Sequence, residues 1–173
     1  TDANDDFDGS QSPAHLINPK GPMIAIVKKN TAPLKKLRTW LKSSPSNVKK
    51  LKLLLIDDEA DYASVNTANK EMPDAEGALD GEDEVLSEEE LEEEIKCTAI
   101  NAYVRSIRNM FDIHAYIGYT ATPYPNVFID PEDDGAEFDF DDGQGLEKLG
   151  LTLYPRQFIT TLKKPPGYLG IEN

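Results

Sequence analysis

The sequence is short of cysteine, histidine and long apolar runs, and each shortage closes off a class of protein. A single cysteine, Cys97, leaves no partner for an internal disulfide and suits a reducing compartment, so a cytoplasmic location is expected. With only His15 and His114 beside it, no Cys/His cluster can build a structural zinc site. The longest apolar stretches, such as Leu53-Leu54-Leu55-Ile56, fall far short of the roughly 20 residues that span a bilayer, and no membrane partner is expected. No signal peptide opens the chain. Nor does any Gly-x-x-x-x-Gly-Lys-[Ser/Thr] loop occur, Lys20-Gly21 being only a superficial echo of one, so nothing cradles the phosphates of a nucleotide. The first residue is Thr1 rather than Met, which raises the expectation of a piece of something longer.

What is present is acid, unevenly placed. The 173 residues carry a formal charge of −14, enough chain for one ordinary domain and not comfortably enough for two. Residues 71–95 hold thirteen Asp and Glu, residues 130–147 hold nine, and neither stretch has a Lys or Arg. Setting those 22 acids aside turns the net charge of the rest into +8. The chain is therefore a basic domain with two acidic insertions, and its overall charge does not exclude a polyanion as partner.

Along the chain, residues 1–22 are polar and rich in Pro and Gly, an irregular lead-in. Met23-Ile24-Ala25-Ile26-Val27 has the pattern of a strand buried on both faces of a parallel sheet. Thr31 is then a plausible N-cap, and the helix it opens places Leu34, Leu37 and Leu41 on one side before ending near Ser43-Ser44-Pro45. Leu51 to Ile56 is a second buried strand. Residues 71–96 form the first insertion, where Ser87 to Glu90 can start a short acidic helix and like-charge repulsion favours partial disorder. Thr98 caps a further helix carrying Ile100, Val104, Ile107 and Phe111, and His114 to Tyr119 is a third strand. Residues 130–147 read as a mobile loop, and Leu151 to Gly170 as a short helix followed by a turn. Strand, helix, strand, helix, strand in this order points to an α/β parallel sheet.

The chemistry concentrates where two of these strands end. Leu53 to Ile56 runs into Asp57-Asp58-Glu59-Ala60-Asp61, which sets carboxylates at the carboxyl edge of a parallel sheet, where α/β proteins bind ligands. Nucleotide hydrolysis needs such a pair for separate tasks. One carboxylate holds magnesium, usually through water, and the other orients or deprotonates the attacking water. An acidic, solvated loop after a strand is the bland alternative. Tyr116-Ile117-Gly118-Tyr119-Thr120-Ala121-Thr122-Pro123 is again an apolar strand ending in hydroxyl residues, able to hydrogen-bond the carboxylates at the neighbouring strand end. Alone it is an ordinary polar turn; the two patterns together, in this order, are specific.

At these residues the sequence resembles a family. Asp58-Glu59-Ala60-Asp61 is similar to motif II of superfamily-two helicases, the Walker B box, and Thr120-Ala121-Thr122 to motif III. The more particular resemblance is to the Z-one domain of endonucleases and helicase-like ATPases in prokaryotic restriction and DNA-modification systems. It is carried by Val27-Lys28-Lys29-Asn30 with the Leu34, Leu37 and Trp40 helix, by Ile56 to Asn66, Ile100-Asn101, Gly118 to Pro123, Leu153 to Arg156, and Gly167-Tyr168. It covers roughly residues 20–170, with the acidic insertions as departures. The resemblance implies a three-layer RecA-like lobe of the P-loop NTPase type, here partial and lacking its phosphate loop, over residues 23–170. It implies a parent protein that uses ATP and Mg2+ to act on DNA, with modification-system proteins as further partners. On this match Asp58 serves magnesium, Glu59 serves the water, and Asp61 links to Thr120 and Thr122. The chain itself is expected to be inactive and to bind neither ATP nor Mg2+ tightly. No nuclease constellation is evident in the residues.

Residues 20–52 hold ten Lys or Arg and no acid. By the resemblance, Lys28, Lys29 and Asn30 lie near a DNA-facing motif, although a solvated helix face is the usual explanation of such a run. Cys97, His114 and Trp40 read as ordinary structural residues, and Tyr119 and Tyr124 as core packing rather than base-stacking platforms. Two other functions were open on the residues. A phosphoryl-accepting receiver domain needs an Asp ending its third strand, whereas Asp112 precedes one here. A non-catalytic binding or scaffold module with a degenerate nucleotide-binding fold is the stronger alternative, favoured by the missing phosphate loop.

Overall fold

A computed structural model describes residues 14–63, 87–132 and 134–163. The irregular lead-in up to residue 13, most of the first acidic insertion and the last ten residues lie outside them. The described elements, in chain order, are α1 (Ala14–Ile17), α2 (Thr31–Lys42), α3 (Pro45–Val48), β1 (Lys52–Asp58), α4 (Glu88–Asn109), β2 (Ile113–Tyr119), α5 (Tyr124–Val127), β3 (Glu137–Asp139) and β4 (Leu146–Lys148). The fold is mixed α/β. Its centre is a two-stranded parallel sheet in which Lys52 pairs with Ile113 and Asp58 with Tyr119.

Because successive strand residues face opposite ways, β1 sorts its side chains cleanly. Leu53 and Leu55 pack against the core and Asp57 is buried on that same face. Leu54 and Ile56, each 59% exposed, lie on the other, next to Ile117 and Tyr119 of β2. The core is built by Leu34 and Leu41 of α2, Val48 of α3, and Ile100, Tyr103, Val104 and Ile107 of α4. Helices α2 and α4 pack on each other over the covered face of the sheet.

Several expectations change. The apolar run Met23 to Val27 forms no strand, and Ile24 is 88% exposed. A buried parallel strand requires neighbours on the sheet, and among the described residues this segment has none. Burial of β1 on both faces is likewise replaced by burial on one. The N-cap of α2 is Asn30, whose Oδ1 accepts from the Thr31 amide at 2.8 Å, so Thr31 is the first helical residue. Thr98 does not cap a helix: it lies inside the continuous 22-residue helix α4. The tail from Leu151 to Lys163 has no helix.

Residues 130–147 differ most from a mobile loop. They contribute the antiparallel hairpin of β3 and β4, where Phe138 pairs with Glu147. Phe140 is buried against Tyr103, with ring centroids 5.0 Å apart. Asp142 and Glu147 reach Arg38 of α2 at 2.8 Å and 2.6 Å. Nine acids in sequence suggest repulsion, but here cations from α2 neutralise two of them and aromatic burial fixes the hairpin.

Candidate active site

The two parallel strands end side by side, so their terminal motifs meet. Asp57 and Asp58 fall on opposite faces of β1, and their surroundings diverge accordingly. Asp57, 5% exposed, accepts from Lys29 Nζ through Oδ1 at 2.9 Å and from the Tyr116 hydroxyl through Oδ2 at 2.8 Å. It is a structural carboxylate. Asp58 and Glu59 are both exposed.

A tight turn follows. Glu59 adopts a left-handed conformation with φ of 52°, uncommon for a residue with a side chain. Backbone bonds pin the turn: the Ala60 amide donates to Tyr119 O at 2.9 Å, and the Tyr62 amide to Glu59 O at 2.9 Å. Asn126 of α5 donates to Ala60 O at 2.8 Å. Ala60 is buried directly over Gly118, where an added Cβ would come within 2.7 Å of the Ala60 Cβ. Only glycine lets β2 approach the turn this closely.

Asp61 ties the two motifs together. Its Oδ1 accepts from the Thr120 hydroxyl at 2.5 Å, and its Oδ2 from the Thr122 hydroxyl. The Thr122 amide in turn donates to Thr120 Oγ1 at 2.9 Å. The hydroxyl of Thr120, then that of Thr122, holds the Asp61 carboxyl below its ordinary value. The Asp61–Thr120–Thr122 juxtaposition anticipated from the sequence is thus present. Beyond it, the Tyr62 hydroxyl donates to Glu93 of α4, and Lys96 Nζ lies 3.3 Å from the same hydroxyl.

The chemistry open to this arrangement follows from which carboxylates are spent. Asp57 and Asp61 have both oxygens committed to side-chain hydrogen bonds; Asp58, whose Oδ1 takes the Glu59 amide at 3.2 Å, and Glu59 remain exposed to solvent. Among the described residues no group of three or more His, Cys, Asp or Glu gathers as a metal site. Asp58 by itself fits magnesium only when substrate phosphates complete the shell, since the ion is normally held by one or two carboxylates with phosphates and water.

The basic candidates separate as well. Lys29 is drawn into the turn, Asn30 caps α2, and Lys28 is exposed. Arg38 and Lys42 are occupied by Asp142 and Glu147. Tyr119 and Tyr124, assigned to core packing from the sequence, are 49% and 74% exposed. Three residues that shape the site went unnoticed in the sequence: Tyr116, Asn126 and Gly118 in its steric role. Tyr116 was recoverable, because period-two alternation with parallel pairing puts it on the face of Asp57. Nothing local marks Asn126. Compared with family models, with characterised proteins and with solved structures, the chain finds no significant match.

Proposed function

We propose that this chain is the part of an ATP-hydrolysing, DNA-acting, helicase-like protein that supplies the magnesium and water-activating carboxylates. The observation that carries this is the pairing of an Asp-Glu turn with a Thr-x-Thr turn on adjacent parallel strands, bridged by Asp61. In this reading the sheet belongs to a RecA-like lobe. The exposed apolar face formed by Leu54, Ile56, Ile117 and Tyr119 supports that, because parallel sheets are covered on both faces.

Each residue has a distinct task. Asp58 would hold magnesium, which when bound supplies charge neutralisation at the transferring phosphate. The Glu59 carboxylate orients a water and accepts its proton as the water attacks. Asp61 does neither; with both oxygens taken by Thr120 and Thr122, it fixes the spacing between the two strand ends. Lys28 is the remaining candidate of its segment for a DNA phosphate. Membership of a restriction or DNA-modification system, with DNA and modification proteins as partners, belongs to the same proposal.

A second reading has an observation of its own. The sequence holds no phosphate-cradling loop, so the chain by itself suits a non-catalytic scaffold with a degenerate nucleotide-binding fold. Steady-state ATPase assays with Mg2+, with and without DNA, separate the two when run on this chain and on a longer protein carrying both this segment and a phosphate loop. Turnover confined to the longer protein supports the ATPase; none in either supports the scaffold.

A further inference from the structure

Lys29 stands just before α2, yet its side chain serves β1. Its Nζ lies 2.9 Å from Asp57 Oδ1, 2.9 Å from Asp58 O and 2.6 Å from Glu59 O. An ammonium has three hydrogens to donate, and these three oxygens match them. All three acceptors belong to consecutive residues at the end of one strand. The same ammonium lies 5.9 Å from the centre of the Tyr62 ring, over the next stretch of the turn. The turn needs such a hold. Glu59 carries its side chain in the left-handed region, a conformation that costs about 1–2 kcal/mol and persists only where the surroundings impose it.

We propose that Lys29 is a positioning residue: it presets the turn that presents Asp58 and Glu59, rather than contacting DNA phosphate. Its effect on catalysis rests on the ATPase reading above; its effect on the turn does not. Asp57 completes the device. Clamped between Lys29 and the Tyr116 hydroxyl, it fixes the ammonium to both strands, while Asp58, whose Oδ1 takes the Glu59 amide at 3.2 Å, stays exposed.

Two measurements test this. In the full chain, hydrogen exchange of the Ala60 amide, which donates to Tyr119 O, reports on the turn. Lys29→Met is expected to lower its protection about ten- to a hundredfold, the effect of losing charge-assisted hydrogen bonds, with Lys29→Arg restoring part of it. The pair Lys29→Met/Asp57→Asn removes the buried unpaired carboxylate that could unfold the single variant, and the Ala60 loss should persist in it. In the longer protein with ATP saturating, Lys29→Met should raise the Mg2+ concentration for half-maximal turnover about 10- to 100-fold, as supporting residues around metal sites do. Unchanged Ala60 protection in both Met variants would overturn the proposal. So would an unchanged Mg2+ requirement accompanied by weaker DNA binding, which would make Lys29 a phosphate contact. A wild-type protein without ATPase activity refutes the ATPase reading alone, and the exchange measurement still decides Lys29.

Discussion

Two clusters of cations and carboxylates put their charges to opposite uses. Around Arg38, which is 3% exposed, every guanidinium nitrogen is engaged: Nε donates to Ser106 Oγ at 2.9 Å, Nη1 to Asp142 and Nη2 to Glu147. The guanidinium also lies 3.7 Å from the centre of the Phe140 ring, and Lys42 shares both carboxylates. Each oxygen of those two carboxylates has a partner: Asp142 Oδ1 also takes the Gln144 amide, and Glu147 Oε1 the Ser106 hydroxyl. At the end of β1, by contrast, Lys29, Thr120 and Thr122 occupy Asp57 and Asp61, while Asp58 and Glu59 stay exposed. Acidic residues do not mark a site by their number. They mark one where the fold uses some of them to hold others in reach of solvent.

The contrast is broken most severely at Arg38. Arg38→Met should destabilise the protein by about 2–3 kcal/mol, since it removes two charge-assisted hydrogen bonds, leaves Lys42 as the remaining cation on Asp142 and Glu147, and unstacks Phe140. Urea unfolding measures this, and detachment of the hairpin should appear as lost protection at Leu149, whose amide donates to Ala136 O. Gly118→Ala comes next, at about 1–3 kcal/mol, because the new methyl meets Ala60. Its damage should centre on the turn and leave the hairpin intact.

Acid sharpens the comparison. Hydrogen bonds from Arg38, then Lys42, hold Asp142 well below the usual carboxylate range. Burial alone would raise Glu147, but hydrogen bonds from Ser106 and Lys42 and the charge of Arg38 bring it below its ordinary value. The hydroxyls of Thr120 and Thr122 do the same for Asp61. These groups have lower values folded than unfolded, so the stability they add is present above about pH 4 and lost as pH falls through their native values. Urea midpoints measured across pH should be flat above about pH 5 and decline below about pH 4. A decline centred near pH 6 would contradict this. The smallest effects belong to the unspent pair: Asp58→Asn and Glu59→Gln should change stability by less than about 0.5 kcal/mol. Glu59→Gly should be neutral or stabilising by up to about 1 kcal/mol, because it relieves the left-handed backbone.

Much of the site and part of the fold were legible in the sequence, for physical reasons. An apolar run ending abruptly in polar residues reports both a strand and the place it stops, so β1, β2 and the nearness of their carboxylate and threonine ends followed from parallel pairing, while the choice of Asp61 as the link came from the motif resemblance. Helix α2 followed from the spacing of Leu34, Leu37 and Leu41. What escaped depended on distant partners. Arg38 is bonded to residues 104 and 109 positions away, and no local pattern announces that. Its place between Leu34 and Leu41 on the apolar side of α2 was the available clue. Met23 to Val27 has the composition of a strand, yet strand formation depends on a neighbour that composition does not provide. The helix start expected at Ser87 to Glu90 is where α4 begins, but its continuation through Thr98 into one 22-residue helix escaped, because the like charges argued for a break there.

The most direct test of the division between spent and unspent carboxylates is the turnover of Glu59→Gln in the longer protein, with ATP binding measured alongside. On the ATPase reading proposed above, this substitution takes away the water-activating carboxylate and leaves Asp58 and the turn in place, so it should lower kcat about a hundredfold or more and leave ATP affinity within about twofold. Turnover close to the wild type would contradict the role assigned to Glu59. A loss of turnover accompanied by an equal loss of ATP binding would show that Glu59 holds the site together rather than activating water.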